Sequence, residues 1–199
     1  MIIPSTSRYV IYTDPAASMR LASRFGSYFD RLSPRRRIVV VCIGTDRCTG
    51  DSLGPLTGTL LCKYRSSEFD VFGTLENPVH AMNLADTMDR LYVRFEDPFV
   101  IGVDACLGQA SSIGAVMIGD GPLLPGAGVN KQLPPVGDIH VSGIVNIGGL
   151  LGYQALQSTR LHLVMNMAGL ISRSLLVGIR MSAGRKIEPA ECAMEPAVP

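Results

Sequence analysis

The sequence predicts an α/β protein: a three-layer α/β/α sandwich built on a mostly parallel sheet. Three observations carry that expectation. The run Ile38-Val39-Val40-Val41-Cys42-Ile43 is continuous and β-branched, the pattern of a strand covered on both faces. A second apolar run, Phe99 to Val103, has the same character and ends on Asp104. Helical periodicities separate the strand-like runs, and a β-α-β-α-β order implies parallel pairing through right-handed crossovers.

Asp14-Pro15 supplies an N-cap and first-turn pair, and Leu21, Phe25, Tyr28, Phe29 and Leu32 then recur at helical spacing. Ser33-Pro34 ends that helix. Arg35-Arg36-Arg37 is the one basic run and reads as a solvated strand entrance. The strand Ile38 to Ile43 opens into a loop relieved by Gly44 and Gly50. Asp51-Ser52 then offers acceptors to the amides of the next helix, Gly54 to Tyr64. Phe69 to Leu75 reads as a second strand and Val79 to Leu91 as a helix, with Leu84, Met88 and Leu91 in register. Phe99 to Val103 and Ile113 to Ile118 are the third and fourth strands. The Gly- and Pro-rich loop from Gly119 to Gly137 is of a length more often functional than idle. Ile139 to Val145 is a further strand, and Ile147 to Gln157 and Leu161 to Met181 are closing helices. Residues 1–182 are expected to form one domain; 183–199, with Pro189, Pro196 and Pro199, reads as a frayed tail.

With 47% hydrophobic and 18% charged residues over 199 positions, the chain can bury one sizeable core. A net charge of +1 gives no global electrostatic argument for nucleic acid. The five cysteines, at 42, 48, 62, 106 and 192, are odd in number and form no CxxC pair, which suits a reducing cytoplasm. Cys42 and Cys62 fall in apolar segments as core thiols. Cys48 and Cys106 lie nearer the strand ends, but neither has a histidine motif beside it to make a nucleophile. No basic-then-apolar leader opens the chain, and His162, Asn166, Arg173 and Arg180 interrupt its most apolar late stretch. The expectation is a cytoplasmic protein without a membrane or nucleic-acid partner, whose apolar excess permits a homo-oligomer.

The chemistry centres on two carboxylates. Asp51 alone could be an N-cap, and Asp104 alone could bond loop amides. Together, at the ends of neighbouring parallel strands ~5 Å apart, they can share one water. Two like charges that close cannot both ionise freely, so one proton is shared and one apparent pKa rises. Asp51, at a helix N-terminus, is the expected ionised partner and base; Asp104, ending a buried strand, is the expected acid. Amides of the Gly44 to Gly50 loop could hold an oxyanion. Thr49 and Ser52 support the loop. No cofactor is expected; a divalent metal, if bound, would draw on Asp51, Asp104 and His80, since zinc wants a nitrogen or sulfur ligand as well. Asp46 is a further candidate ligand or supporting group, whereas His140 and His162 suit ordinary packed or surface roles. No Lys-Ser/Thr follows the glycines, so the loop is not a P-loop, and it does not fit the dinucleotide fingerprint.

Three segments, IGTDRCTGDSLGP, VDACLG and LLPGAGVNK, resemble in this order the spore protease YyaC family. More distantly they are similar to the germination protease that degrades small acid-soluble spore proteins. The matching residues are Gly44 with Asp51-Ser52-Leu53-Gly54-Pro55, then Val103-Asp104-Ala105, then Pro125-Gly126-Ala127-Gly128-Val129-Asn130-Lys131. The resemblance implies the hydrogenase-maturation-protease fold and a pair of catalytic aspartates, which carry onto Asp51 and Asp104. In the maturation endopeptidases a Glu stands at the Asp51 position, and both acids join a His on metal. Thr45 and Asp46 depart from the germination-protease pattern and add a charge to the loop. Asn130 and Lys131 would orient substrate or tie the long loop down. The implied substrate is a protein or peptide, with small acid-soluble spore proteins as candidates and the forespore or spore interior as the place. Three readings follow: a metal-free paired-aspartate endopeptidase, a metal-dependent peptidase of the maturation type, and a non-catalytic sporulation factor that binds peptide.

Overall fold

The computed structural model describes residues 9–33, 36–65, 68–125, 133–182 and 188–189. In chain order the elements are β1 (Tyr9–Ile11), α1 (Ala17–Phe29), β2 (Ile38–Cys42), α2 (Leu53–Leu61), β3 (Tyr64–Arg65), β4 (Phe69–Phe72), α3 (Leu84–Arg94), β5 (Phe99–Gly108), β6 (Ala115–Asp120), β7 (Ile139–Ile147), α4 (Gly152–Gln157), α5 (Leu161–Met181) and β8 (Glu188–Pro189). Six strands form one sheet in the order β1-β6-β7-β5-β2-β4. β4, β2, β5 and β7 pair in parallel, and β6 runs against its neighbours β7 and β1. The architecture is the expected α/β/α sandwich.

Every residue of β2 is buried, because the sheet is covered on both sides. Ile38, Val40 and Cys42 face a core closed by α1, α2 and α5, where Leu21, Phe25, Leu53, Met167, Ile171 and Leu175 meet. Val39, Val41 and Ile43 face a smaller core under α3, with Leu84, Met88 and Leu91, completed by Leu123 and Val136. α5 matches its expected bounds and is long and apolar enough to cross a membrane, yet 61% of its most apolar window is buried within the fold. It is a core helix.

Several elements differ from expectation. α3 begins at Leu84 rather than Val79, because Asn83 ties the preceding turn: its Oδ1 accepts the His80 amide at 2.8 Å, and its Nδ2 donates to the Pro78 carbonyl at 3.0 Å. Val79 instead bridges Ile43 in parallel. β5 continues five residues past Val103, since β7 supplies a partner as far as Gly108. α4 is short, because β7 runs on to Ile147 and Gly148-Gly149 follow it. β1 was not expected. Within the tail expected to fray, Glu188–Pro189 pairs antiparallel with Tyr64–Arg65.

The basic run is not simply solvated. Arg37 pairs with Asp70, and Arg36 bridges Asp97 and Asp138 while lying over the Phe99 ring. Both arginines pin the amino ends of the parallel strands.

The order of crossovers positions the site. From β2 the chain passes through α2 to β4 on one side, then returns through α3 to β5 on the other. In such a sheet the crevice for ligands opens outside the carboxyl ends of the two strands where the winding reverses. Here those strands are β2 and β5.

Candidate active site

The link between β2 and α2 is tightly drawn. Ile43 makes the last connection to β5, its amide donating to the Val103 carbonyl at 2.7 Å, and the Gly44 amide donates to Val79 at 2.8 Å. Gly44 has φ +140°, and a Cβ there would lie 1.9 Å from the Asp51 carbonyl oxygen. Only a residue with no side chain lets the turn carrying Asp51 fold back onto the strand end. Gly54 meets the same need at the start of α2, where a Cβ would lie 2.1 Å from the Ile43 carbonyl oxygen.

Asp51 sits in the single 3-10 turn Gly50–Ser52 that leads into α2. The capping role offered by the sequence is not taken up: no side chain caps this turn or α2, and the Ser52 hydroxyl donates to the Thr49 carbonyl at 2.6 Å. The Asp51 carboxylate instead takes a hydrogen bond from the Thr45 amide. Burial raises its pKa, while that amide and nearby His80 act in the opposite direction.

Asp104 is not the end of its strand. It is the first residue of β5 beyond the reach of β2, paired with Ser142 of β7 on its other side. Its Oδ1 accepts the amide of Ala105 at 2.7 Å. Burial, and after it the charge of Asp51, raise the Asp104 pKa well above the carboxylate range, against a lesser lowering by the Ala105 amide. The two acids are therefore in electrostatic contact across the gap left where β2 stops.

His80 joins them. It follows Val79 beside Ile43, its Nδ1 faces the Met82 amide at 3.3 Å, and its charge acts on Asp51. Ser142, buried and in register with Asp104, is a further polar group at the site; its signal in the sequence was a hydroxyl between Val141 and Gly143 in the middle of β7. Asp46 is exposed, in contact with the Thr45 hydroxyl at 3.5 Å. Thr49 and Ser52 brace the loop through their mutual bond. Asn130 and Lys131 lie outside the described residues. His140 packs on β7 with Nδ1 3.0 Å from the Gly121 carbonyl oxygen, and His162 is exposed on α5 beside Asn166.

Neither nearby thiol is set up as a nucleophile. Burial raises the Cys48 pKa despite amide contacts from Asp51 and Gly50, and burial together with the Asp104 charge pushes Cys106 up to about 11. Among the described residues no three His, Cys, Asp or Glu side chains converge to hold a metal ion. Asp51, Asp104 and His80, as they stand, do not form a complete ligand set. An open pocket of about 510 Å³ lined by Arg36, Tyr92 and Asp138 lies at the amino ends of the strands, on the opposite edge from the acids.

Comparisons with known proteins agree with this architecture. Residues 9–174 match the family described as "Protein of unknown function (DUF1256)". The chain is 52% identical over 168 residues to the uncharacterized protein YyaC of Bacillus subtilis (strain 168), covering 84% of this chain and 82% of that one. The hydrogenase maturating endopeptidase HybD from E. coli shares the fold, with a TM-score of 0.50 at 16% identity, over 77% of this chain and 97% of that one. The NiFe hydrogenase maturation protease HycI from Thermococcus kodakarensis KOD1 aligns with a TM-score of 0.47 at 19% identity, over 75% and 99% of the two chains.

Proposed function

We propose that this chain, which belongs to the DUF1256 family with Bacillus subtilis YyaC, is an endopeptidase in which Asp51 and Asp104 share one proton and activate water. The observation that carries the reading is the coupling of the two carboxyls at the winding reversal: the Asp51 charge raises an Asp104 pKa already lifted by burial. The fold shared with HybD, itself a maturating endopeptidase, supports it.

In this reading Asp51, whose pKa burial raises but the Thr45 amide and His80 hold back, takes a proton from water as its oxygen attacks the scissile carbonyl carbon. Asp104, holding a proton, donates it to the carbonyl oxygen. The tetrahedral intermediate then collapses: Asp51 passes its proton to the leaving nitrogen as the C–N bond breaks, and Asp104 recovers its own. The divided roles follow from environment, as in other carboxyl pairs whose pKa values are pushed apart. Because the three candidate ligands form no complete set, no step is assigned to a metal.

The substrate class is protein, and the resemblance points to the spore, with small acid-soluble spore proteins as first candidates. Incubating the purified chain with those proteins, beside an Asp51→Asn variant, tests the reading. Fragments formed by the wild type and not by the variant support it. Equal cleavage by both, or an intact substrate in every tube, overturns it.

A further inference from the structure

We infer that the free edge of β5 above Asp104 seats the substrate, an extended polypeptide segment with apolar side chains that adds there as one more strand; this rests on the peptidase reading. β5 pairs with β2 only from Phe99 to Val103, and with β7 from Ile101 to Gly108. Among the described residues no strand pairs with Asp104 to Gly108 on the β2 side, and no backbone hydrogen bond reaches them from the Gly44 to Ser52 loop. In a parallel ladder alternate residues turn their N–H and C=O to opposite sides. Val103 turns toward β2 and Gly108, beyond the register shift at Cys106 and Leu107, turns toward the β7 side, so Ala105 and Leu107 turn toward the β2 side. The Ala105 amide is already taken by Asp104; the Ala105 carbonyl and both polar groups of Leu107 remain.

Beyond Ile43 the end of β2 leaves an opening beside β5, with the Gly50–Ser52 turn folded back onto Gly44 at its mouth. Its far wall is Val79 and His80, held against Ile43 and Gly44. A single chain entering it takes the place β2 would occupy if it continued, and its backbone passes Asp104 with Asp51 alongside. Five residues of strand span roughly 16 Å, enough for the residues flanking one scissile bond. The same carboxyl end of the sheet is apolar: Ile147, Leu150, Leu151 and Tyr153, which follow on the β7 side of β5, are all exposed, and Leu107 itself packs under Gly152. Strand addition of this kind draws affinity from main-chain hydrogen bonds and selectivity from alternate side chains, so it tolerates varied sequences.

The test follows the Leu107 amide by 15N-resolved hydrogen exchange in the full Asp51→Asn chain, with and without β-casein as an unfolded probe, while the wild type is assayed for casein cleavage. The expected result is a slowing of Leu107 exchange by at least tenfold with casein, with the Cys106 amide, which faces β7, unchanged. Leu107→Pro, which removes the outward N–H, is then expected to lose casein binding; the exchange measurement stands even if that variant fails to fold. Casein cleavage without slowing at Leu107 overturns the docking and leaves the paired-aspartate reading intact. Slowing at Leu107 without cleavage keeps the docking and removes the peptidase reading. Slowing that depends on protein concentration and not on casein means a second copy occupies the edge, and overturns the inference. So does the absence of both cleavage and slowing.

Discussion

Asp51 and Asp104 lie near enough at the end of β2 that the charge of the first adds to burial in raising the pKa of the second. They reach that arrangement by different routes. Asp51 arrives on a turn that folds back onto Gly44, and Asp104 arrives on a strand that outruns its neighbour by five residues.

If the pair activates water, each acid is needed. Asp51→Asn and Asp104→Asn are each expected to lower peptide cleavage by roughly 10²- to 10⁴-fold, the range for removing a positioned acid or base. Steady-state assays on a protein substrate, with circular dichroism to show the fold retained, check this. Retention of more than a tenth of the activity in either variant argues against the pair.

Asp104 is placed at a cost to stability, and the sign can be worked out. Its folded pKa lies above the ordinary 3.8, so between these two values the native state binds more protons than the unfolded chain. Stability therefore falls as pH rises through that window. Asp104→Asn removes the penalty and is expected to stabilise the fold at pH 7, a gain that vanishes below pH 4. Urea titrations at both pH values measure it; equal effects at both contradict it.

Gly44 is a geometric requirement. Gly44→Ala sets a methyl group 1.9 Å from the Asp51 carbonyl oxygen at a φ of +140°. A loss of about 2–3 kcal/mol is expected from overpacking and backbone strain, together with loss of cleavage as the turn moves. Chemical denaturation and activity read the two effects separately.

Cys106 reports on its neighbour. Burial first, and the Asp104 charge second, push its pKa up to about 11. Alkylation by iodoacetamide at pH 9, followed by mass spectrometry, is expected to be slow in the wild type and several-fold faster in Asp104→Asn, because thiolate is the reactive form. An unchanged rate separates the two side chains electrostatically.

Much of this was legible in the sequence. A continuous β-branched run reads as a strand buried on both faces, which placed β2 inside the sheet rather than at its edge, and α5 carries a sustained helical stripe that gave its limits without error. Asp51 and Asp104 stood out because each follows such a run. What was not legible depends on partners distant in sequence. Nothing in Asp104-Ala105-Cys106-Leu107-Gly108 announces a strand until β7 lies beside it. β1 and β8 are too short to show a period. Asp51 and Ser52 have the composition of a cap, and only the folded turn shows that the Ser52 hydroxyl is spent on Thr49. Arg36 and Arg37 read as a solvated run because their partners, Asp70, Asp97 and Asp138, come from three other segments.

The shared proton can be observed directly by 13C NMR titration of the Asp104 side-chain carboxyl in the wild type and in Asp51→Asn. Coupling predicts a midpoint well above 3.8 in the wild type that drops when the neighbouring charge is removed, with burial holding the remainder of the rise. A midpoint that does not move between the two proteins would mean that the carboxyls do not sense each other, and paired-aspartate chemistry would then have no basis.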